Sequence, residues 1–229
     1  MPTTALRICL IGSRGRMGQT IAALATRDPA LTLGAEVDVG DSAGPGLQSA
    51  DVAIDFSSAD AVEEICRLAV QYKRPLVIGT TGHSAGQKSS IDTAAKSIPI
   101  VFASNFSVGV NVLFWLTERA ARLLGEGFDA QIVETHHVHK KDAPSGTAKT
   151  LAAILQSEKK QAEIPVRSIR EGEVVGEHIV SFSGPGERLE LAHYAESRET
   201  FAGGALKAAK WVITKPPGLY TMQDVLGLQ

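Results

Sequence analysis

Cysteine is scarce in this chain, with two in 229 residues, Cys9 and Cys66. Both lie in apolar patterns without C-x-x-C spacing, which excludes a disulfide scaffold and fits buried thiols in a reducing compartment. Long hydrophobic runs are missing too. No stretch approaches the ~18 apolar residues that a membrane span needs. The apolar run near the N-terminus carries Arg7 and is followed by no small-residue cleavage pattern, so no secretory leader is expected. An excess of charge of either sign is absent: 23 Lys+Arg stand against 25 Asp+Glu, for a net charge of −2. That balance removes the electrostatic footprint of a nucleic-acid binder. Repeats and low-complexity tracts are also lacking. What remains is the composition of a cytoplasmic globular protein, 44% hydrophobic and 21% charged, long enough for one large domain or two small ones.

Glycine, by contrast, is plentiful, and its 22 residues cluster after apolar runs. Gly12, Gly15 and Gly18 follow the first run, and Gly79 and Gly82 a later one. Glycine at strand ends marks places where the backbone turns tightly or approaches a ligand. Leu6–Ile11, Leu31–Val37, Asp51–Phe56, Pro75–Gly79 and Pro99–Ala103 read as strands. Helical patterns cover Met17–Thr26, Ala59–Tyr72 with Ser57-Ser58 as its N-cap, and Ser84–Ser97. This alternation predicts an α/β fold with a doubly wound, parallel Rossmann-type sheet.

Beyond Asn105 the pattern changes. Gly109–Leu124 is an amphipathic helix, Gln131–Val138 a strand, and Ser145–Lys160 a helix opened by a Ser-Gly-Thr cap. Glu177–Ser183 and Glu187–Tyr194 alternate at period two around Gly184-Pro185-Gly186, as an antiparallel pair does. Thr200–Thr214 is helical. The division predicted is a dinucleotide-binding domain over residues 1–106, to which 205–229 return, and a smaller α+β domain with an open mixed sheet over 107–204.

The loop Gly12-Ser13-Arg14-Gly15-Arg16-Met17-Gly18 reads G-x-x-G-x-x-G, with Arg14 where a stricter fingerprint has its second glycine. Such a loop, after a strand and before a helix, holds a pyrophosphate on backbone N–H groups. The acid expected near the end of the second strand is Glu36 or Asp38, which would hydrogen-bond the adenosine ribose and repel a 2′-phosphate. Val39, Gly40 and Asp41 follow without a basic residue, which favours NADH, although Arg14 and Arg16 supply positive charge suited to NADPH.

The strip Glu134–Thr147, ETHHVHKKDAPSGT, packs three of the six histidines into four positions. A zinc site is disfavoured, because His136 and His137 point to opposite faces of a strand and no cysteine or H-x-x-x-H helix assists. Were the strand to continue, His136, Val138 and Lys140 would share a face. Ser145-Gly146-Thr147 then opens a helix whose N–H groups suit a carboxylate. Cationic side chains beside a helix N-terminus describe a site for a small acidic substrate. His178 and His193, within strands, read as surface or interface groups.

With these residues on view, the chain resembles the dihydrodipicolinate reductase (4-hydroxy-tetrahydrodipicolinate reductase) family. The likeness rests on GSRGRMG (Gly12–Gly18), IDF (Ile54–Phe56), GTTG (Gly79–Gly82), NFSVGVNV (Asn105–Val112), the Glu134–Thr147 strip and GERLEL (Gly186–Leu191). The resemblance implies a Rossmann-type domain and a substrate domain whose open sheet builds a homotetramer. It also implies hydride transfer from NADH or NADPH to a cyclic dicarboxylate imine. By position it implies that Gly12, Ser13, Arg14, Gly15, Arg16 and Met17 hold the pyrophosphate and that Asp38 meets the ribose. Gly79, Thr80 and Thr81, with Ala103, Ser104, Asn105 and Phe106, would line the nicotinamide side. His136 and Lys140 match the proton-transferring pair, and His137, Gly146 and Thr147 the substrate-carboxylate contacts. No metal is implied. The chain is shorter than longer family members between Asp38 and Asp51 and between Arg170 and Glu177, and Val39 stands where a basic neighbour of the ribose acid is usual.

Two other functions fit part of the pattern. A different nicotinamide dehydrogenase is one, although a semialdehyde dehydrogenase needs a nucleophilic cysteine that neither Cys9 nor Cys66 supplies. A non-catalytic dinucleotide sensor is the other, and it leaves the histidine strip without a role.

Overall fold

Apolar runs too short to be helices become strands buried on both faces. In the computed structural model, which describes residues 5–159 and 163–228, β1 (Leu6–Ile11), α1 (Arg16–Ala25), β2 (Leu31–Val37), α2 (Ala43–Ser49), β3 (Val52–Asp55), α3 (Val62–Tyr72), β4 (Leu76–Ile78), α4 (Ala85–Ala95) and β5 (Pro99–Phe102) alternate. There follow α5 (Val108–Leu124), β6 (Asp129–His136), α6 (Gly146–Glu158), β7 (Val166–Arg170), β8 (Gly176–Gly184), β9 (Glu187–Ala195), α7 (Glu199–Val212), β10 (Gly218–Tyr220) and α8 (Met222–Leu226). Two compact units result. One comprises residues 5–107 with Glu199–Gly227, and the other Val108–Arg198 with Leu228. Lys160, the end of the helix predicted from Ser145, lies outside the described residues, as do residues 1–4 and 229 of the predicted first domain.

The first unit carries a six-stranded sheet in the order β10-β5-β4-β3-β1-β2, parallel throughout. Helices cover both faces, so β3 and β4 are wholly buried. One core layer joins Ile8, Leu10 and Ile54 to α7 through Ala205, Ala209 and Val212, and the other sets Cys9, Ala53 and Ile78 against α3. Because β2 and β3 flank β1 on opposite sides, the winding reverses at β1. Ligands of open α/β sheets bind at such a reversal.

The second unit is a four-stranded sheet, β7-β6-β8-β9, with β6 parallel to β7 and antiparallel to β8. Helices α5 and α6 pack on it through Phe114, Leu151 and Leu155, against Ile132, Val180 and Phe182. Arg122 of α5 joins the two helices by bonding Glu118 at 2.5 Å and Glu158 at 2.7 Å.

Some local expectations are corrected. The helix predicted from Ala59 opens with a 3₁₀ turn at Ala59–Ala61, and Ser58 makes no capping bond. The neighbouring Ser57 Oγ turns instead to Asp55, 2.5 Å away. Helix α2 forms in a segment whose glycines and proline argue against it, because tertiary burial of Leu47 outweighs propensity. Strand β6 stops at His136 rather than Val138, and the chain turns there: Glu171 N–H donates to the His136 carbonyl and Lys140 N–H to that of His137. Hence His136, Val138 and Lys140 do not lie along one strand face.

Candidate functional site

At the carboxyl end of β1 the chain turns sharply. Gly12 has φ +83°, and a Cβ there would sit 2.5 Å from the Phe56 carbonyl oxygen. A Cβ on Gly18 would meet the Gly12 carbonyl oxygen at 2.1 Å. These close approaches set the N-terminus of α1 directly after β1, with Gly15 as an N-cap that offers no side-chain bond. A cavity of about 520 Å³ opens beside the turn, lined by Gly12, Gly15, Asp38, Val39, Phe56 and Leu68 among others. Backbone N–H groups at a helix start, glycines on their flank and an acid at the far wall fit a dinucleotide. Asp38 accepts from Arg14 N–H at 2.7 Å and Val39 N–H at 2.8 Å. Those bonds hold its carboxyl below the usual range, so it faces the cavity ionised. The Arg14 guanidinium reaches Asp41, 3.3 Å away. Ser13 is buried, Arg16 is exposed and Met17 packs on the core.

The loops after β4 and β5 are braced from below. Asp55, wholly buried at the end of β3, accepts from Ser57 N–H at 3.0 Å and from Thr80 Oγ1–H at 2.9 Å. Burial pushes its carboxyl pKa up against these bonds. Gly79 is glycine because the Phe56 ring lies on it, with a ring carbon 2.1 Å from where a Cβ would be. Thr81 and Ser104 are exposed, Ala103 is half-buried, and Asn105 Oδ1 accepts from Ser107 N–H at 2.8 Å. Phe106 points into the core, its ring 5.7 Å from that of Phe56. His83 is buried against Phe102.

The second unit concentrates its chemistry on one face of its sheet. Glu134 and His136 share that face by the two-residue period of β6. Arg170 of β7 stands opposite His136, and His178 of β8 opposite Glu134. Glu134 is wholly buried, yet its carboxylate is well supplied with donors. Arg170 Nη2 and Nη1 donate to its two oxygens at 2.9 and 3.1 Å, and Ser145 N–H lies 3.3 Å away. Burial opposes ionisation, but the bonds from Arg170, Ser168 and His136 outweigh it and hold the carboxyl down at about 2. His136 Nδ1 touches Oε2 of this carboxylate, the oxygen that also accepts from Arg170 Nη1. Burial lowers the His136 pKa, Glu134 partly offsets it, and the charges of Lys140 and Arg170 lower it further. His178 bonds Ser145 Oγ at 3.1 Å through Nε2, and burial, followed by the neighbouring His136, pushes it to about 3.

Ser145 is also the N-cap of α6, accepting from Ala148 N–H at 3.2 Å. Gly146 and Thr147 are therefore the first two helical positions, whose amides point out of the helix end. Lys140 pairs with Asp142 at 2.8 Å, and Arg170 Nη2 ties the same turn by donating to the Asp142 carbonyl at 2.6 Å. His137 N–H donates to the Val174 carbonyl at 2.7 Å, while its buried Nδ1 has no partner among the described residues. His139 and Val138 are exposed. Ligand atoms of Glu134, His136 and His178 lie within 4.8 Å of one another. A cation there would compete with Arg170 for the Glu134 carboxylate.

Family models for both halves match: dihydrodipicolinate reductase, N-terminus, over residues 6–106, and dihydrodipicolinate reductase, C-terminus, over residues 109–226. The chain belongs to the dihydrodipicolinate reductase family. Among its relatives, the 4-hydroxy-tetrahydrodipicolinate reductase of Akkermansia muciniphila is 48% identical over 242 residues, covering 97% of this chain and 98% of that one. The enzyme of the same name from Stenotrophomonas maltophilia is 45% identical over 241 residues, with 99% and 100% covered. The family fold is equally evident in a solved structure, dipicolinate-bound dihydrodipicolinate reductase from Paenisporosarcina sp. TG-14, with a TM-score of 0.82 at 24% identity, 96% of this chain and 99% of that one covered.

Sequence reasoning missed Glu134, Arg170 and His178 as parts of this site. Glu134 carried a signal, since it stands two residues before His136 on a strand and must share its face. Arg170 carried none, because β7 itself was not predicted. His178 is buried, not at the surface.

Proposed function

We propose that the chain reduces 4-hydroxy-tetrahydrodipicolinate to tetrahydrodipicolinate with a nicotinamide dinucleotide, a step of the diaminopimelate route to lysine. The observation that carries the reading is the Glu134–Thr147 strip, which sets cationic and titratable side chains beside the N-terminus of α6 in a chain that matches both halves of the family. In the overall reaction a hydride and one proton enter and water leaves. Bound in the first unit, the dinucleotide supplies the hydride.

The remaining tasks fall to the chain. The amides of Gly146 and Thr147 grip one substrate carboxylate, and His137 and Lys140 neutralise negative charge on the ring system. His136 or Lys140 delivers the proton to the carbon that becomes basic once hydride has arrived, a role worth about 10²–10⁴-fold. His136→Ala and Lys140→Ala are therefore expected to lower kcat by about 10²-fold or more. Dinucleotide affinity, measured by fluorescence titration, should be unchanged. Both variants within a few-fold of the parent rate would remove these residues from the site.

NADH is the preferred donor. Asp38 is ionised and followed by Val39, so a 2′-phosphate meets negative charge, and Arg14 is already engaged by Asp41. The test is loss of dinucleotide absorbance with enzymatically generated hydroxy-tetrahydrodipicolinate, run with NADH and with NADPH. Rapid oxidation of NADH and slower oxidation of NADPH are expected. No oxidation of either by a folded protein that binds both would sink the assignment. A cytoplasmic homotetramer completes the reading. It is supported by the open edge strand β9, which leaves Leu189 and Tyr194 exposed, and light scattering would measure its mass.

A further inference from the structure

We infer that Glu134, clamped by Arg170, is the positioning residue that fixes His136 as the Nδ1–H tautomer with Nε2 as a bare acceptor. The inference rests on the proposed role of His136. A carboxylate can only accept hydrogen bonds. Glu134 receives two N–H groups from Arg170 at 2.9 and 3.1 Å, and Ser145 N–H approaches at 3.3 Å, so its ionised form is the one this pocket stabilises. The hydrogen between Glu134 and His136 must then sit on Nδ1. In the neutral ring Nε2 consequently carries a lone pair.

The surroundings leave room at that atom. Nε2 lies over Gly176 of β8, where a side-chain carbon would come within 3.0 Å of it. Burial is the main influence that keeps the His136 ring neutral; Lys140 from the turn and Arg170 from β7 add to it, and Glu134 opposes them. His178 from β8, its ring 5.2 Å away, is itself neutral near pH 7 and adds no charge. His136 thus rests without a transferable proton at Nε2. It gains one when a dianionic substrate beside it compensates the added charge, so proton loading follows substrate binding.

Arg170 connects this device to the second proton-transferring candidate. The guanidinium that holds Glu134 also donates to the Asp142 carbonyl at 2.6 Å, within the turn that carries Lys140. One half-buried arginine therefore orients both groups. Neither Glu134 nor Arg170 needs to touch the reacting atoms to matter.

The direct test is nitrogen-15 NMR of the imidazoles in the unmodified protein. Nδ1 of His136 should resonate as an N–H nitrogen and Nε2 as a bare one; the reverse assignment overturns the inference without any variant. The kinetic test compares Glu134→Gln, Glu134→Asp and His136→Ala across about pH 5–9, with dinucleotide saturating. The amide introduced by Glu134→Gln can donate to Nδ1 and so favours the wrong tautomer, for which a loss of kcat of at least about 10²-fold is expected. The KM of that variant for the dinucleotide should stay unchanged. Loss of the Glu134 charge should also move the His136 limb of the profile to lower pH, because that charge was what held the pKa up. Glu134→Asp, which keeps the charge, should recover part of the rate. If His136→Ala collapses activity while Glu134→Gln keeps both rate and profile, the positioning role is wrong and the reductase reading stands. If His136→Ala is itself harmless, the proton-transfer reading falls and this inference with it.

Discussion

At the scale of single residues, the chain spends buried polar groups on positioning. Asp55 is the clearest case outside the histidine strip. It has no exposure, and its partners Ser57 and Thr80 belong to the segments that follow β3 and β4, on the side where a dinucleotide would lie. Asp55→Ala leaves the Thr80 hydroxyl and the Ser57 amide without their acceptor. An unsatisfied buried donor costs about 1–3 kcal/mol, so a lower Tm and weaker dinucleotide binding are expected, seen by calorimetry and fluorescence titration. An unchanged affinity would mean that Thr80 keeps its place without Asp55. The same preference for burial suppresses the thiolate form of the two cysteines. Burial pushes Cys9 to about 11, and burial together with the nearby Asp55 pushes Cys66 to about 12, which leaves almost no thiolate near neutrality.

At the scale of elements, close approach of backbones does what side chains do elsewhere. Gly204, in α7, lies so near the Phe106 carbonyl oxygen that a Cβ would sit 1.7 Å from it. Gly204→Ala must push α7 off the segment after β5. Overpacking of this kind costs about 1–3 kcal/mol or more, readable as a lower Tm, and an unaltered Tm would show that α7 shifts freely. The elements also show what periodicity reveals and what it hides. Leu6–Ile11 and Leu31–Val37 announce themselves as strands because each is an apolar run with turn residues at its ends. In β7, Val166-Arg-Ser-Ile-Arg, the two apolar residues are three apart, which fits neither face of a strand. In β10 only three residues pair with β5, too few for any pattern to emerge. His136 and Lys140 were legible as a chemical pair, but not the turn between them, since nothing in Val138–Lys140 says where β6 ends. The partner that orients His136 was half legible: Glu134 by its spacing, Arg170 only through β-sheet register.

At the scale of the whole molecule, the buried ionisable cluster ties stability to pH. His178 titrates near 3 in the folded state against an ordinary 6.5. Between those values the unfolded chain binds a proton that the native state refuses, so stability falls as pH drops from about 6.5 toward 3. Glu134, held at about 2 against 4.5, extends the loss downward, because between those values its charged form is populated in the native state alone. Denaturant titrations at a series of pH values should show stability declining through this window. His178→Gln should flatten the slope above pH 4.5, where Glu134 stays ionised in both states. A slope unaffected by that change would place the acid sensitivity in other groups. No helix among the described residues is long and apolar enough to cross a membrane.

The discontinuity of the first unit bears on how the protein is made. Its chain leaves at residue 107 and resumes at Glu199, and the late segment supplies Ala202, Ala205, Ala208, Ala209, Val212 and Met222 to a core layer of the six-stranded sheet. During synthesis, β1 to β5 leave the ribosome while the material that covers one of their faces has yet to be translated. At ~5–20 residues per second, the wait is on the order of ten seconds. Through that interval an apolar sheet surface stands open to chaperones and to other nascent chains. The intervening unit, continuous in sequence, can close its own core in the meantime. For a ribosome-bound intermediate, the half that begins first is the half that finishes last.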